Sequence, residues 1–190
     1  MNNIRKYLEK TVAIEDSDWA FFTSKLEKRT VKKRTKLLSI NEIENHISFF
    51  SSGIVRFLIP KEEEEKEVTF GFCFDTEFVS AYDSFLTQNP SLYELETLTD
   101  VSMWSITYAD LQKVYCETKI GDRLGRLSSE RLFLIKSKRE QSLLNETAEE
   151  RYLNLFKERP NLIKEIPLKY IASYIGVTAQ ALSRIRRRIS

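Results

Sequence analysis

Apolar positions along this 190-residue chain change their period more than once. Residues 4–26 read as helical, with Trp19, Phe22 and Leu26 spaced three and four apart on one face and Asp16 or Ser17 placed to cap it. Residues 31–40, 46–60, 67–74 and 97–106 are short, rich in β-branched and aromatic side chains and separated by polar stretches, which predicts strands packed as an antiparallel sandwich or roll. Between two of them runs Lys61-Glu62-Glu63-Glu64-Glu65-Lys66-Glu67, read as a solvated hairpin connection, because four successive glutamates cannot all face one cation from an extended chain. Ser51-Ser52-Gly53 reads as a turn in which Gly53 supplies a positive φ.

Beyond Ile106 the period lengthens. Ile120, Leu124, Leu127, Arg131 and Leu134 follow alternating steps of four and three, the heptad spacing of a helix that meets a partner helix. The simplest partner is the same helix of a second subunit, and packing back on the β domain is the competing reading. Gly121 and Gly125 either weaken this helix or let two backbones approach closely. Thr147 and Glu150 have capping-box spacing, so a further helix starts there, runs through Tyr152, Leu153, Leu155 and Phe156, and bends off at Pro160.

Residues 166–185 carry the most specific pattern, two short amphipathic helices joined at Gly176. Pro167 suits a first helical turn, Ile171 and Ile175 face inward, and Ala172 is small where two helices cross. Gly176 allows a left-handed cap and Thr178 caps the next helix, which Leu182 and Ile185 anchor. That leaves Thr178, Ala179, Gln180, Ser183 and Arg184 at the open side of a helix-turn-helix, with Gln180 suited to adenine and Arg184 to guanine. Arg186, Arg187 and Arg188 suit phosphates, and Arg187 also lies on the open side. A helical hairpin in a packed domain is the plain alternative, and the basic open face argues against it.

Charge sharpens this picture. Net charge is only +2, yet residues 1–150 hold 21 Lys/Arg against 26 Asp/Glu, and residues 151–190 hold 9 against 2. A basic tail on an acidic body suggests an anionic partner for the tail, double-stranded DNA first, with a merely solvated terminus as the alternative. The apolar and charged fractions, 42% and 31%, are those of a globular chain. No apolar run reaches the roughly 20 residues of a membrane span, and the amino terminus does not read as a signal peptide, so no membrane partner and a cytoplasmic location are expected. Cys73 and Cys116 form no CxxC pair and read as reduced structural thiols. One histidine, His46, cannot make a multi-histidine metal site, and no nucleophile elbow, phosphate loop or dinucleotide fingerprint is present. No enzyme, no cofactor and no metal are expected.

The order of parts resembles the Crp/Fnr family of bacterial regulators over nearly the whole chain. Residues 46–56, His-Ile-Ser-Phe-Phe-Ser-Ser-Gly-Ile-Val-Arg, are similar to that family's strand-turn-strand ending in "sGxvR", and the wording of residues 150–185 resembles members common in Bacteroidetes. The resemblance implies an α+β fold: a cyclic-nucleotide-binding-like antiparallel β-roll (double-stranded β-helix) with an N-terminal helix at 1–107, a long dimerisation helix at 108–143, and a helix-turn-helix domain at 144–190. It implies a homodimer on a palindromic site, with RNA polymerase and a small-molecule effector as further partners. Two departures stand out. Where cyclic-nucleotide binders carry Gly-Glu and Arg-Ser/Thr, this chain reads Ser80-Ala81 and Ser91-Leu92, so tight binding of cyclic AMP is not expected. The sequence also stops directly after the recognition helix, without the family's β-wing, so backbone contacts are expected from elsewhere. Phe72, Tyr82, Phe85 and Trp104 are candidates for lining an apolar pocket in the roll, or else are plain core. The rival reading of the whole is a non-DNA-binding interaction or small-molecule-binding β-roll protein with a vestigial helix-turn-helix.

Overall fold

The computed structural model describes residues 2–63 and 66–189, so Glu64 and Glu65 of the acidic run lie outside the described residues. In place of one helix over 4–26 there are two, α1 (Asn2–Leu8) and α2 (Asp16–Ser24). The break has a local cause: Thr11 and Val12 donate back to Leu8 O and close α1. The Asp16 carboxylate is drawn away from capping to an ion pair with Arg5 at 2.8 Å, and Glu15, the N-cap residue of α2, makes no side-chain cap bond.

The strands are β1 (Glu27–Val31), β2 (Lys36–Leu38), β3 (His46–Ser52), β4 (Val55–Ile59), β5 (Val68–Cys73), β6 (Phe78–Val79), β7 (Glu94–Thr97) and β8 (Val101–Thr107), with α3 (Tyr82–Thr87) between β6 and β7. The expected strand over 31–40 is broken by a turn, and β6, α3 and β7 were not foreseen. One sheet has the order β1-β8-β3-β6 and the other β2-β7-β4-β5. Gly53 turns β3 into β4 at φ +112°, as its place after Ser51-Ser52 predicted. A β-carbon there would stand 2.7 Å from Asp100 O, so the residue answers both a backbone and a space requirement.

Strand alternation divides two apolar layers. Leu38, Phe50, Val55, Cys73, Val79, Leu95, Val101 and Met103 come from both sheets and meet between them. On the other face of the first sheet, Phe49 and Ile106 pack with Ile4, Leu8 and Phe22 of the N-terminal helices and with α4 (Tyr108–Glu117), which Thr107 caps by accepting from Asp110 N–H.

The segment 108–143 is not one helix. α4 ends at Glu117, and α5 (Gly121–Asn145) follows a three-residue corner that contains Ile120. Ile120 and Leu124, expected on a partner-facing seam, are buried in the core of their own β domain. Leu127 is half-buried, Arg131 stacks its guanidinium 5.2 Å from the Tyr7 ring, and Leu134 is exposed. Gly121 is explained by the same packing: its β-carbon would fall 2.4 Å from Tyr115 Cα, and at Gly125 3.2 Å from the Tyr115 ring. The close approach is therefore between α4 and α5 of one chain.

Two compact units result, Met1–Phe57 with Phe72–Arg131, and Leu58–Gly71 with Leu132–Ser190. The second contains the β4–β5 hairpin, the later turns of α5, then α6 (Ala148–Glu158), α7 (Pro160–Glu165), α8 (Leu168–Tyr174) and α9 (Ala179–Ile189).

Candidate nucleic-acid interface

α6 is started by a complete capping box, in which the Thr147 hydroxyl accepts from Glu150 N–H while the Glu150 carboxylate accepts from Thr147 N–H at 2.7 Å. The bond from Thr147 N–H, with a second from the Thr147 hydroxyl at 2.8 Å, holds the exposed Glu150 carboxyl below its usual pKa. Tyr152 and Leu155 of α6 are buried, as are Ile166, Ile171, Ala172, Ile175, Leu182 and Ile185.

α8 ends as the glycine demands. Gly176 sits at φ +79°, Gly176 N–H donates to Ser173 O, and Val177 N–H donates to Ala172 O, the paired bonds of a Schellman cap. Pro167 stands just before α8 as its N-cap rather than in its first turn, with φ −54° and ψ 136°. Thr178 Oγ1 accepts from Ala181 N–H at 3.2 Å and opens α9. Leu182 and Ile185 are the buried residues of α9. Thr178, Ala179, Gln180, Ser183, Arg184, Arg186, Arg187 and Arg188 are all exposed. Gln180 and Ser183 lie three apart, and Arg184 and Arg187 continue that stripe, so the open face is polar near the start of the helix and cationic toward its end. Arg188 already pairs with Glu149 of α6 at 2.7 Å, and the pair is solvent-exposed.

Side chains that the sequence reading passed over hold this head in shape. Arg139 of α5 donates to Tyr174 O and lies 3.9 Å from the Tyr174 ring. Its burial pulls the guanidinium pKa below its ordinary value. Arg151 of α6 donates from Nε to Ile175 O at 2.8 Å and also reaches Glu146 O. Two cations thus satisfy the last carbonyls of α8, groups that a helix end leaves without partners. Ser173 Oγ accepts from Thr69 N–H at 2.8 Å and donates to Glu67 O at 3.1 Å, fastening α8 to β5. A basic residue near a helix C-terminus is a readable signal only when it is local, and Arg139 lies 35 residues from its acceptor.

Three of the four candidate pocket aromatics share one packed layer. Phe85, Tyr82 and Trp104 belong to the core between sheet and helices, with Tyr82 and Phe85 stacked at 6.4 Å, while Phe72 is outside that cluster on β5. At the places compared with the cyclic-nucleotide motif, Ser80 Oγ donates to His46 O, Ser91 N–H donates to Glu42 O, and Ser91 Oγ donates to Tyr93 O. Leu92 is 73% exposed. Nearby, the buried Glu44 carboxylate accepts from His46 N–H at 2.9 Å and, more weakly, from Ala81 N–H at 3.4 Å, and burial holds its pKa above the usual range in spite of those bonds. Among the described residues no group of three or more His, Cys, Asp or Glu is placed to hold a metal ion, and no helix is long and apolar enough to cross a membrane.

No family model matches the sequence, and no curated protein does. Solved structures do. CLP, the c-di-GMP responsive global regulator of Xanthomonas campestris, superposes with a TM-score of 0.69 at 17% identity, covering 92% of this chain and 91% of that one. A Crp/Fnr-family regulator from Eubacterium rectale gives 0.72 at 16% over 93% and 83%, and FixK2 from Bradyrhizobium japonicum 0.71 at 15% over 86% and 84%. At such identities the likeness establishes the fold: an α+β chain with the antiparallel sheet core and long helix of the Crp-like, cyclic-nucleotide-binding type.

Proposed function

We propose that the chain is a DNA-binding transcription regulator of the Crp/Fnr type, a homodimer that reads a palindromic site with α9. The observation that carries this reading is the open face of α9: Gln180, Ser183, Arg184 and Arg187 are exposed on a helix whose start is capped by Thr178 and whose buried side carries Leu182 and Ile185. A fixed helix offering one amide and several guanidinium groups matches what base edges and phosphates in a major groove require. Arg184 is the guanine reader, Gln180 the adenine reader, and Arg186, Arg187 and Arg188 are phosphate contacts.

Dimerisation is supported by the later turns of α5, where Phe133, Leu134 and Leu144 are 70%, 66% and 77% exposed. The effector reading is narrower. With Ser91 engaged inside its own loop and Leu92 exposed beside it, the positions compared with Arg-Ser/Thr offer a cyclic phosphate no arginine, and the chain does not bind cyclic AMP tightly. RNA polymerase is the partner such a regulator would act on.

Selection of duplexes from a random pool, followed by binding titrations, tests the reading. Arg184→Ala should weaken the selected duplex by about 1–3 kcal/mol and relax preference at one base position, whereas Arg188→Ala should lower all affinities alike. Failure of the wild-type chain to retain any duplex at low ionic strength would refute the reading, and equal losses on every sequence from both substitutions would refute the assigned roles.

A further inference from the structure

The loop between β2 and β3, residues 39–45, reaches both places that were compared with the cyclic-nucleotide pairs. At the second of them, Asn41 N–H donates to Ser91 O at 2.9 Å and Ser91 N–H donates to Glu42 O at 2.8 Å. Asn41 takes φ +69° there, a conformation that asparagine tolerates better than most residues. At the first, the Glu44 carboxylate accepts from Ala81 N–H at 3.4 Å. The Glu44 backbone is engaged as well: its N–H donates to Ser84 Oγ at 3.0 Å and its carbonyl accepts from Gln88 Nε2 at 3.4 Å. Ala81 is the N-cap residue of α3 and makes no side-chain cap bond, so the negative charge at the start of this helix comes from 37 residues away. All of these residues belong to the N-terminal compact unit.

Glu44 is 8% exposed, and three backbone N–H groups converge on its carboxylate: His46 at 2.9 Å, Ala81, and Asn45. Successive N–H groups turned toward one point form a concave anion-binding nest, and those of Asn45 and His46 are successive. No Lys or Arg lies within residues 37–55 or 72–98, and Arg29 acts on the carboxylate by its charge. The nest, rather than an ion pair, therefore holds it. Burial works against the charged form, and a neutral side chain would avoid that desolvation. A carboxylate kept in spite of the penalty points to its acceptor oxygens as what the position requires.

We propose that Glu44 is a built-in anionic ligand of the β-roll: its carboxylate fills a backbone nest at the start of α3, latches the 39–45 loop to α3 and to the 88–93 loop, and keeps the roll closed to small external anions. The missing cyclic-nucleotide pairs and the presence of Glu44 are then one change, since a nest that is filled from within has no use for an arginine. This inference goes beyond the regulator reading and does not need DNA binding to be true.

The test uses the full chain at neutral pH and constant ionic strength. Glu44→Ala keeps the β-carbon and removes a fragment of the size and charge of acetate. Its thermal midpoint should lie about 4–8 °C below that of wild type. Acetate at about 0.1 M should restore about half of that loss relative to chloride, and should move the amide resonances of Asn45, His46 and Ala81 back toward their wild-type positions. Acetamide, of similar shape without the charge, should restore none of it. The wild-type midpoint should respond to acetate, inorganic phosphate and cyclic AMP no more than to chloride. Equal rescue by acetamide would overturn the inference in favour of simple polar packing, and a folded variant that acetate leaves unchanged would overturn it outright. A wild-type midpoint raised by phosphate or cyclic AMP would show an open site in place of a filled one. Should Glu44→Ala fail to fold, Glu44→Gln keeps the volume but turns one acceptor into a donor. Amide exchange at His46 or Ala81 should then quicken roughly ten-fold, and wild-type exchange at both would overturn the inference.

Discussion

At Gly176 a β-carbon would meet only Leu143 Cδ2 at 3.6 Å and Arg151 Nη2 at 3.7 Å, so Gly176→Ala suffers from its φ of +79° alone and should cost about 1–2 kcal/mol in urea denaturation. Gly121 has an ordinary helical φ but faces backbone, with Val114 O at 2.5 Å and Tyr115 Cα at 2.4 Å from the added carbon. Gly121→Ala must open the α4–α5 corner and should cost about 3 kcal/mol. The first requirement was readable as a helix-turn-glycine pattern; the second depends on two segments meeting and was not. His46 makes a different residue-scale prediction. Burial lowers its pKa, Arg29 lowers it further, and Glu27 opposes them. The unfolded chain therefore binds the proton first, so the contribution is intact above the ordinary value near 6.5 and is lost as pH falls through the lower folded value. Between pH of about 7.5 and 5.5 the thermal midpoint of His46→Gln should fall less than that of wild type, because His46 is the chain's one histidine.

At the scale of elements, the α8–turn–α9 unit was written locally: Gly176, Thr178 and the spacing of Ile171, Ile175, Leu182 and Ile185 specify caps and an inward face without outside help. Its support was not local. Arg151→Met removes the donor to Ile175 O and to Glu146 O and should cost about 1–3 kcal/mol while leaving the base preference of any bound duplex unchanged. A shift in preference at a defined base would mean instead that Arg151 acts on the reading face. The strands taught a similar lesson. The long segments 46–60 and 67–74 contain β3, β4 and β5, whereas the two-residue β6 and the four-residue β7 carry too short a period to stand out and form because β3 and β2 offer them partners.

For the whole molecule, the heptad reading separates into two parts with opposite consequences. Leu124 belongs to the domain core, so Leu124→Lys should unfold the N-terminal unit, while Leu134→Lys should leave the fold intact and shift a dimer to monomer in sedimentation velocity. An unchanged sedimentation coefficient for Leu134→Lys would remove that residue from any subunit contact. Sequence alone determined the α+β order of parts, the charge contrast between body and tail, the capping box at Thr147 and the open face after Gly176, since each is set by neighbours within a few turns of chain. Only tertiary structure decided where α4 gives way to α5, that Ile120 and Leu124 turn inward, that Phe72 parts from Phe85, and that Arg139 and Arg151 close the end of α8. Those outcomes depend on which distant surfaces meet, and a heptad of apolar residues states that a face will be covered without stating by what.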